Sequence, residues 1–304
     1  MKRAILTVLA LAGAAGWMVA APQAAQEPTF GTAQEAAQAL IDAAARNDDA
    51  AILKLFGPAG KDIVESGDAA EDKRMRDDFT ARAQAKMRIE PEPGNPNRAT
   101  LIVGDNDWPF PVPLVRKNGQ WHFDAALGRT EILARRIGRN ELTAIDICRG
   151  YVEAQMEYAA HDRNATGVLA YAQKIVSSPG KKDGLYWEGE PNNLVPKSFA
   201  DAAAVMLAAG KQPVPYHGYY VHILKAQGPD APGGAMDYVV KGQMIGGFAL
   251  VAWPAEYGVS GIKTFLVSHD STVYEKDLGP TTAMIARAML RFNPDKTWKA
   301  VEGE

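Results

Sequence analysis

Apolar positions recur at helical spacing through the first third of the chain, then give way to alternation. In TAQEAAQALIDAAAR, Thr32 to Arg46, the residues Leu40, Ile41 and Ala44 form one stripe behind a Thr32 N-cap, with Glu35 three residues on completing a capping box. A second short helix is predicted from Asp49, with Ile52, Leu53 and Phe56 inward and Gly57-Pro58 as its stop. Met75, Phe79, Ala83 and Met87 recur every four residues and predict a third helix capped by Asp68. Beyond the Pro- and Asn-rich connection PEPGNPN come strand patterns at Thr100–Val103, Phe110–Arg116 and Trp121–Asp124, the last two joined by Asn118-Gly119, a type I′ hairpin sequence.

The prolines of WPFPVPL, at 109, 111 and 113, remove backbone donors from one side of an extended chain only. The spacing predicts an edge strand guarded against pairing with other chains; a polyproline ligand is the competing reading.

The second half opens on a helix expected over Asn140 to Ala160, with Leu142, Ile145, Cys148, Val152, Met156 and Ala159 on one face, which makes Cys148 a buried structural residue. Arg135, Arg136 and Arg139 precede it as a basic cluster, at a solvated helix end or an anion site. DRNATG, Asp162 to Gly167, imitates the start of a calcium loop, but Gln173 stands where a bidentate Glu belongs, so a capped turn into a helix at LAYAQKI is expected. SSPGKKDGLYW reads as a loop. YHGYYVHILKAQG, VVKGQ, GFALVAW, IKTFLVS and TVYEK read as strands, and Thr281 to Arg291, with Met284, Ile285, Ala288 and Leu290, as a closing helix. Helices followed by antiparallel strands, twice over, give an α+β chain of two domains, at 30–130 and 131–304.

Composition adds compartment and removes classes. Lys2 and Arg3 precede an uncharged stretch from Ala4 to Ala21, and small residues continue through Ala25, the pattern of an export signal over residues 1–25; an uncleaved anchor is the alternative. Without Lys2 and Arg3 the basic count falls from 33 to 31 against 36 acidic residues, so no cationic surplus points to nucleic acid. One cysteine, Cys148, leaves no intrachain disulfide.

Two stretches imitate catalysis. Gly258-Val259-Ser260-Gly261 lacks the second spacer of a nucleophile elbow, with Ile262 where the glycine belongs. Ser268-His269-Asp270 are chain neighbours, whereas a triad converges from separate segments. His122, His161, His217, His222 and His269 form no metal-ligand spacing. No catalytic residue, metal or cofactor is therefore assigned.

RRIGRNEL, YVEAQMEYA, SSPGKKDGLYW, YHGYYVHIL, GFALVAWPAEYGVSGIKTFLV and VYEKDLGP together resemble the DUF2950 family of bacterial envelope proteins. Ser271 stands where the family pattern suggests Gly, and the loop after Trp187 diverges. The first half also resembles NTF2-like or cystatin-like folds. The second resembles pilin and pseudopilin globular domains. The resemblance carries over no catalytic residues. With no nucleophile–base pair in the sequence, the fold resemblances imply an exported, non-catalytic binding or assembly module for an envelope protein or small ligand. The rival is a hydrolase-like periplasmic enzyme with a cleft between domains. Asp183, Tyr186, Trp187, His217, Tyr219 and Glu256 are the candidate cleft residues.

Overall fold

The computed structural model describes residues 27–65, 69–163, 165–207 and 214–302, with the side chains of 69–71 and 204–207 left aside. The export segment over 1–25 and the Asp68 cap lie outside these residues. The chain is α+β and divides into two compact units, up to Arg129 and from Thr130 onward.

In the first unit, α1 (Ala33–Ala45) carries the expected capping box: Thr32 accepts from the Glu35 N–H, and Glu35 reaches back to the Thr32 backbone. The helices α2 (Asp49–Phe56), α3 (Lys61–Val64) and α4 (Ala69–Ala85) follow. Met87 is not helical but opens β1 (Met87–Glu92), which pairs with β2 (Asn95–Val103). PEPGNPN is thus a hairpin and not a connection. Pro91 fits because β1 is an edge strand and its register shifts at Pro91/Glu92.

The proline-rich segment also departs from expectation. The strands β3 (Trp108–Pro109) and β4 (Leu114–Lys117) both pair with β2, at Val103↔Trp108 and Ile102↔Pro109, then at Ala99↔Leu114 and Arg98↔Val115. Phe110–Pro113 bulges out where β2 has only Thr100 and Leu101. Only β4 is interior to the sheet order β1-β2-β4-β5; β3 lies off that order, paired with β2 alone, and Pro111 and Pro113 sit in the bulge between the two. Phe110 is spent in the core, with ring centroids 5.1 Å from Phe79 and 6.2 Å from Phe56; Val112 is buried, so neither is displayed as a ligand. The hairpin into β5 (Gln120–Phe123) turns through Asn118 and Gly119 at φ 52° and 82°, as the Asn-Gly pair requires.

The second unit holds most of α5 (Ala125–Ala159), from Thr130 onward, a turn-rich segment that follows it, and α6 (Lys197–Leu207). The helix begins well before Asn140 because Asp124 caps it, accepting from the Leu127 N–H at 2.9 Å. The Arg135–Arg139 cluster is therefore mid-helix; Arg135 pairs with Glu131, and Arg136 donates to the Val259 carbonyl. LAYAQKI is extended rather than helical, with Tyr171 bridged to Met244. The Ala-rich α6 has no counterpart in the sequence reading.

The strands β6 (Tyr219–Leu224), β7 (Ala226–Gln227), β8 (Met236–Asp237), β9 (Val239–Val240), β10 (Gln243–Met244), β11 (Ala249–Pro254), β12 (Lys263–Ser268) and β13 (Val273–Asp277) follow. Helix α7 (Thr282–Ala288) and β14 (Lys299–Ala300) close the chain. The main sheet is antiparallel, in the order β14-β13-β12-β11-β6. Helix α7 is shorter than predicted and leaves Met284 and Leu290 exposed; His222 contacts the Met289 carbonyl at 3.0 Å. Cys148 lies at 0% exposure in the core with Tyr219 and Phe265, and burial pushes its thiol up to about 12. Ser271, in the turn between β12 and β13, has φ 66°, in the left-handed region that favours glycine.

Candidate anion-binding site

The loop after the extended segment is built from its base upward. On α5 the fully buried Gln155 side chain accepts from the Ala172 N–H and donates to its carbonyl, both at 2.8 Å, fixing the approach. Val176 and Tyr186 then form a parallel bridge, and Leu185 donates to the Ile175 carbonyl at 2.9 Å. Gly184 lets these two arms touch: a Cβ there would meet the Ser177 nitrogen at 2.8 Å and the Val176 carbonyl carbon at 2.9 Å.

Above the base, the Asp183 carboxylate accepts from the Ser178 N–H (2.7 Å), the Ser178 hydroxyl (3.0 Å) and the Lys174 ammonium (2.8 Å). Burial works to raise the Asp183 pKa, but these donors outweigh it and hold the group at about 2. The Tyr158 hydroxyl donates to the Lys182 carbonyl at 2.7 Å. The backbone of Pro179–Lys182 is thus tethered at both ends, with Lys181 and Lys182 exposed.

One side of this loop faces an open basin of about 770 Å³, whose walls include Arg163, Lys174, Lys181, Lys182, Lys225, Tyr171 and Gln243. Asp183 is the one carboxylate among the lining residues and is already engaged by Lys174. Gln173 spans the far wall, donating to the Gly242 carbonyl at 2.7 Å and accepting from Lys225 at 3.4 Å. Arg163 donates to the Tyr158 carbonyl at 3.2 Å; its guanidinium lies 4.8 Å from the centroid of the Trp187 ring, and Lys182 lies 4.9 Å from it. Glu190 stands 3.4 Å from Lys182. Five cations line one concavity, two of them, Lys174 and Lys182, paired with Asp183 and Glu190. A second concavity of about 540 Å³ shares Gly180, Lys181 and Lys182 with the basin and is lined further by Tyr186, Trp187, Lys197 and Asp201 among others.

The six sequence candidates fall into two groups. Asp183, Tyr186 and Trp187 belong to the loop. Trp187 is a packing residue, 6% exposed, with its indole N–H donated to the Gly184 carbonyl at 2.8 Å and its backbone N–H to Asn193. His217 and Glu256 lie at turns next to the start of β6 at Tyr219, linked by the Ala255 N–H donating to the Gly218 carbonyl. Tyr219 is buried, donates to the Lys263 carbonyl at 3.0 Å, and has its hydroxyl pKa raised by burial and by Glu141. His217 is exposed, at φ 48°, edge-on to Tyr216. Glu256 is exposed; its backbone N–H donates to the Ser260 hydroxyl, which in turn donates to its carbonyl. The Asp183 carboxylate has its hydrogen bonds to Lys174 and Ser178.

The catalytic look-alikes resolve as turns. Ser268, almost wholly buried, donates to Asp270 at 2.9 Å, while the His269 ring packs edge-on against Tyr238 and Phe248. Asp162 accepts from the N–H groups of Thr166 and Gly167, closing its own turn. Among the described residues no group of three or more His, Cys, Asp or Glu could hold a metal. The sequence reading missed the basin because Arg163, Lys174 and Lys225 are far apart in the chain; only the paired lysines of SSPGKKDG were visible as charge.

No curated protein and no solved structure matches the chain. The DUF2950 profile, described as a protein of unknown function, matches residues 27–301, and the chain belongs to that family.

Proposed function

We propose that this chain is an exported, non-catalytic binding module that takes an anionic ligand in the basin beside Asp183. The observation that carries the reading is the convergence of Arg163, Lys174, Lys181, Lys182 and Lys225 on one concavity whose single lining carboxylate is neutralised by Lys174. Cations held together in a concave wall focus field lines and favour an anion entering from solvent. Four lysines and an arginine supply donors for phosphate or carboxylate oxygens. Export is supported by Lys2, Arg3 and the uncharged run that follows them. An enzyme built on Asp183, His217 and Glu256 is the weaker reading, since Asp183 has its bonds elsewhere.

Titration calorimetry with inorganic pyrophosphate tests the anion site. Saturable binding that weakens with salt is expected, together with its loss in the double variant Lys181→Glu/Lys225→Glu. Equal binding by that variant would remove the basin from the reading. N-terminal sequencing of protein recovered from the periplasm tests export separately; a chain beginning at Met1 would oppose it.

A further inference from the structure

Trp187 does not line the basin, yet two of the cations that do stand over its ring. The Arg163 guanidinium is 4.8 Å and the Lys182 ammonium 4.9 Å from one indole centroid, so the two charges are no further apart than those distances together. They reach the ring from different segments, Arg163 from the turn after α5 and Lys182 from the loop before Trp187. Tyr158 adds a second ring, 5.6 Å from the same guanidinium, while its hydroxyl donates to the Lys182 carbonyl at 2.7 Å. The platform itself is fixed. Trp187 is buried, its indole N–H donates to the Gly184 carbonyl, and its backbone N–H donates to Asn193.

Two like charges held near one another repel, and something must offset that before a ligand arrives. A carboxylate does so by cancelling charge that the incoming anion would otherwise meet; Glu190, 3.4 Å from Lys182, is of that kind. An aromatic face acts differently. Its quadrupole attracts both cations but carries no net charge, so their positive charge remains whole for a ligand. Long cationic side chains also lose rotamer freedom when they close on an anion. Side chains already resting on a ring have lost part of it beforehand.

We propose that Trp187 is a positioning residue of the anion site, holding Arg163 and Lys182 on its indole so that one anion meets both. The inference rests on reading the basin as an anion site and adds what sets its affinity: a neutral ring that gathers cations without competing for them.

Pyrophosphate titration by calorimetry is run on the full-length chain and on Trp187→Leu and Trp187→Phe, with tryptophan emission followed in parallel. Trp187→Leu keeps apolar bulk without a ring face and is expected to weaken binding about fivefold; Trp187→Phe, which keeps a ring face, should weaken it no more than about twofold. A packing role alone lowers the denaturation midpoints of both variants and leaves the affinity of the folded proteins unchanged. The emission of Trp187, taken as the difference between the parent and Trp187→Phe, is expected to shift as pyrophosphate saturates, and this measurement decides the matter where Trp187→Leu loses its native thermal transition. Unchanged affinity in Trp187→Leu, equal weakening by the two variants, or Trp187 emission indifferent to bound pyrophosphate overturns the positioning role and spares the basin. Absence of pyrophosphate binding by the parent overturns the anion reading itself, and this inference with it.

Discussion

Two loops are tied to the same helix, and they differ in where their polar groups end. The loop from Ala255 to Ile262 is answered almost entirely from within. Glu141 of α5 accepts from the Ile262 and Lys263 N–H groups at 2.8 and 2.9 Å, Asn140 donates to the Ser260 carbonyl at 2.8 Å, and Arg136 donates to the Val259 carbonyl. Even the Ser260 hydroxyl, the most nucleophile-like group of its motif, is returned to Glu256. The loop from Ser177 to Gly184 is equally well anchored in its backbone, by Asp183 below and Tyr158 behind, yet its lysines face outward. A lock and a site can therefore share one kind of anchoring. What separates them is that the second loop adds two exposed lysines to the wall of a concavity.

The comparison breaks most severely at Gly184. Gly184→Ala forces a Cβ against backbone on the facing arm and is expected to cost about 3 kcal/mol, with the basin lost alongside stability. Chemical denaturation together with pyrophosphate titration reads both effects. Glu141→Ala should cost about 2 kcal/mol by orphaning two backbone donors, but in the natively folded fraction pyrophosphate affinity should be unchanged, because this loop is the lock and not the site. Asp183→Asn should cost about 1 kcal/mol at neutral pH once solvent screening is allowed for. The folded Asp183 pKa is depressed, so the carboxylate's contribution is complete above the unfolded value of ~3.9 and is lost as pH falls from there through about 2. Denaturation midpoints measured across that window should converge for the two proteins at its acid end. Lys181→Ser, smallest of all in stability, should stay within about 0.5 kcal/mol of the parent while weakening pyrophosphate binding several-fold.

Sequence made the locally determined parts readable. The capping box of α1, the Asn118-Gly119 turn and the aliphatic runs of β11 and β12 each carry their cause within a few residues. The errors arose where tertiary pairing overrode local chemistry. Prolines at 91, 111 and 113 disfavour strands, yet an edge position and a bulge accommodate them. LAYAQKI has helical composition but is drawn out by Gln155 on one side and Met244 on the other. Of the site, Asp183 was legible as a residue of interest but not as the group that shapes the loop. Its partner Lys174 is nine residues away, and Lys225 reaches the basin only through the sheet.

Cys148 gives the chain a built-in clock. It is the one cysteine in 304 residues, has no exposed surface, and keeps its thiol protonated at neutral pH. A reagent that attacks thiolates can reach it only when α5 lifts from the sheet beneath, so the labelling rate counts those openings directly. With excess reagent the measured half-life becomes that of the closed state, a kinetic lifetime obtained without denaturant and without an introduced probe.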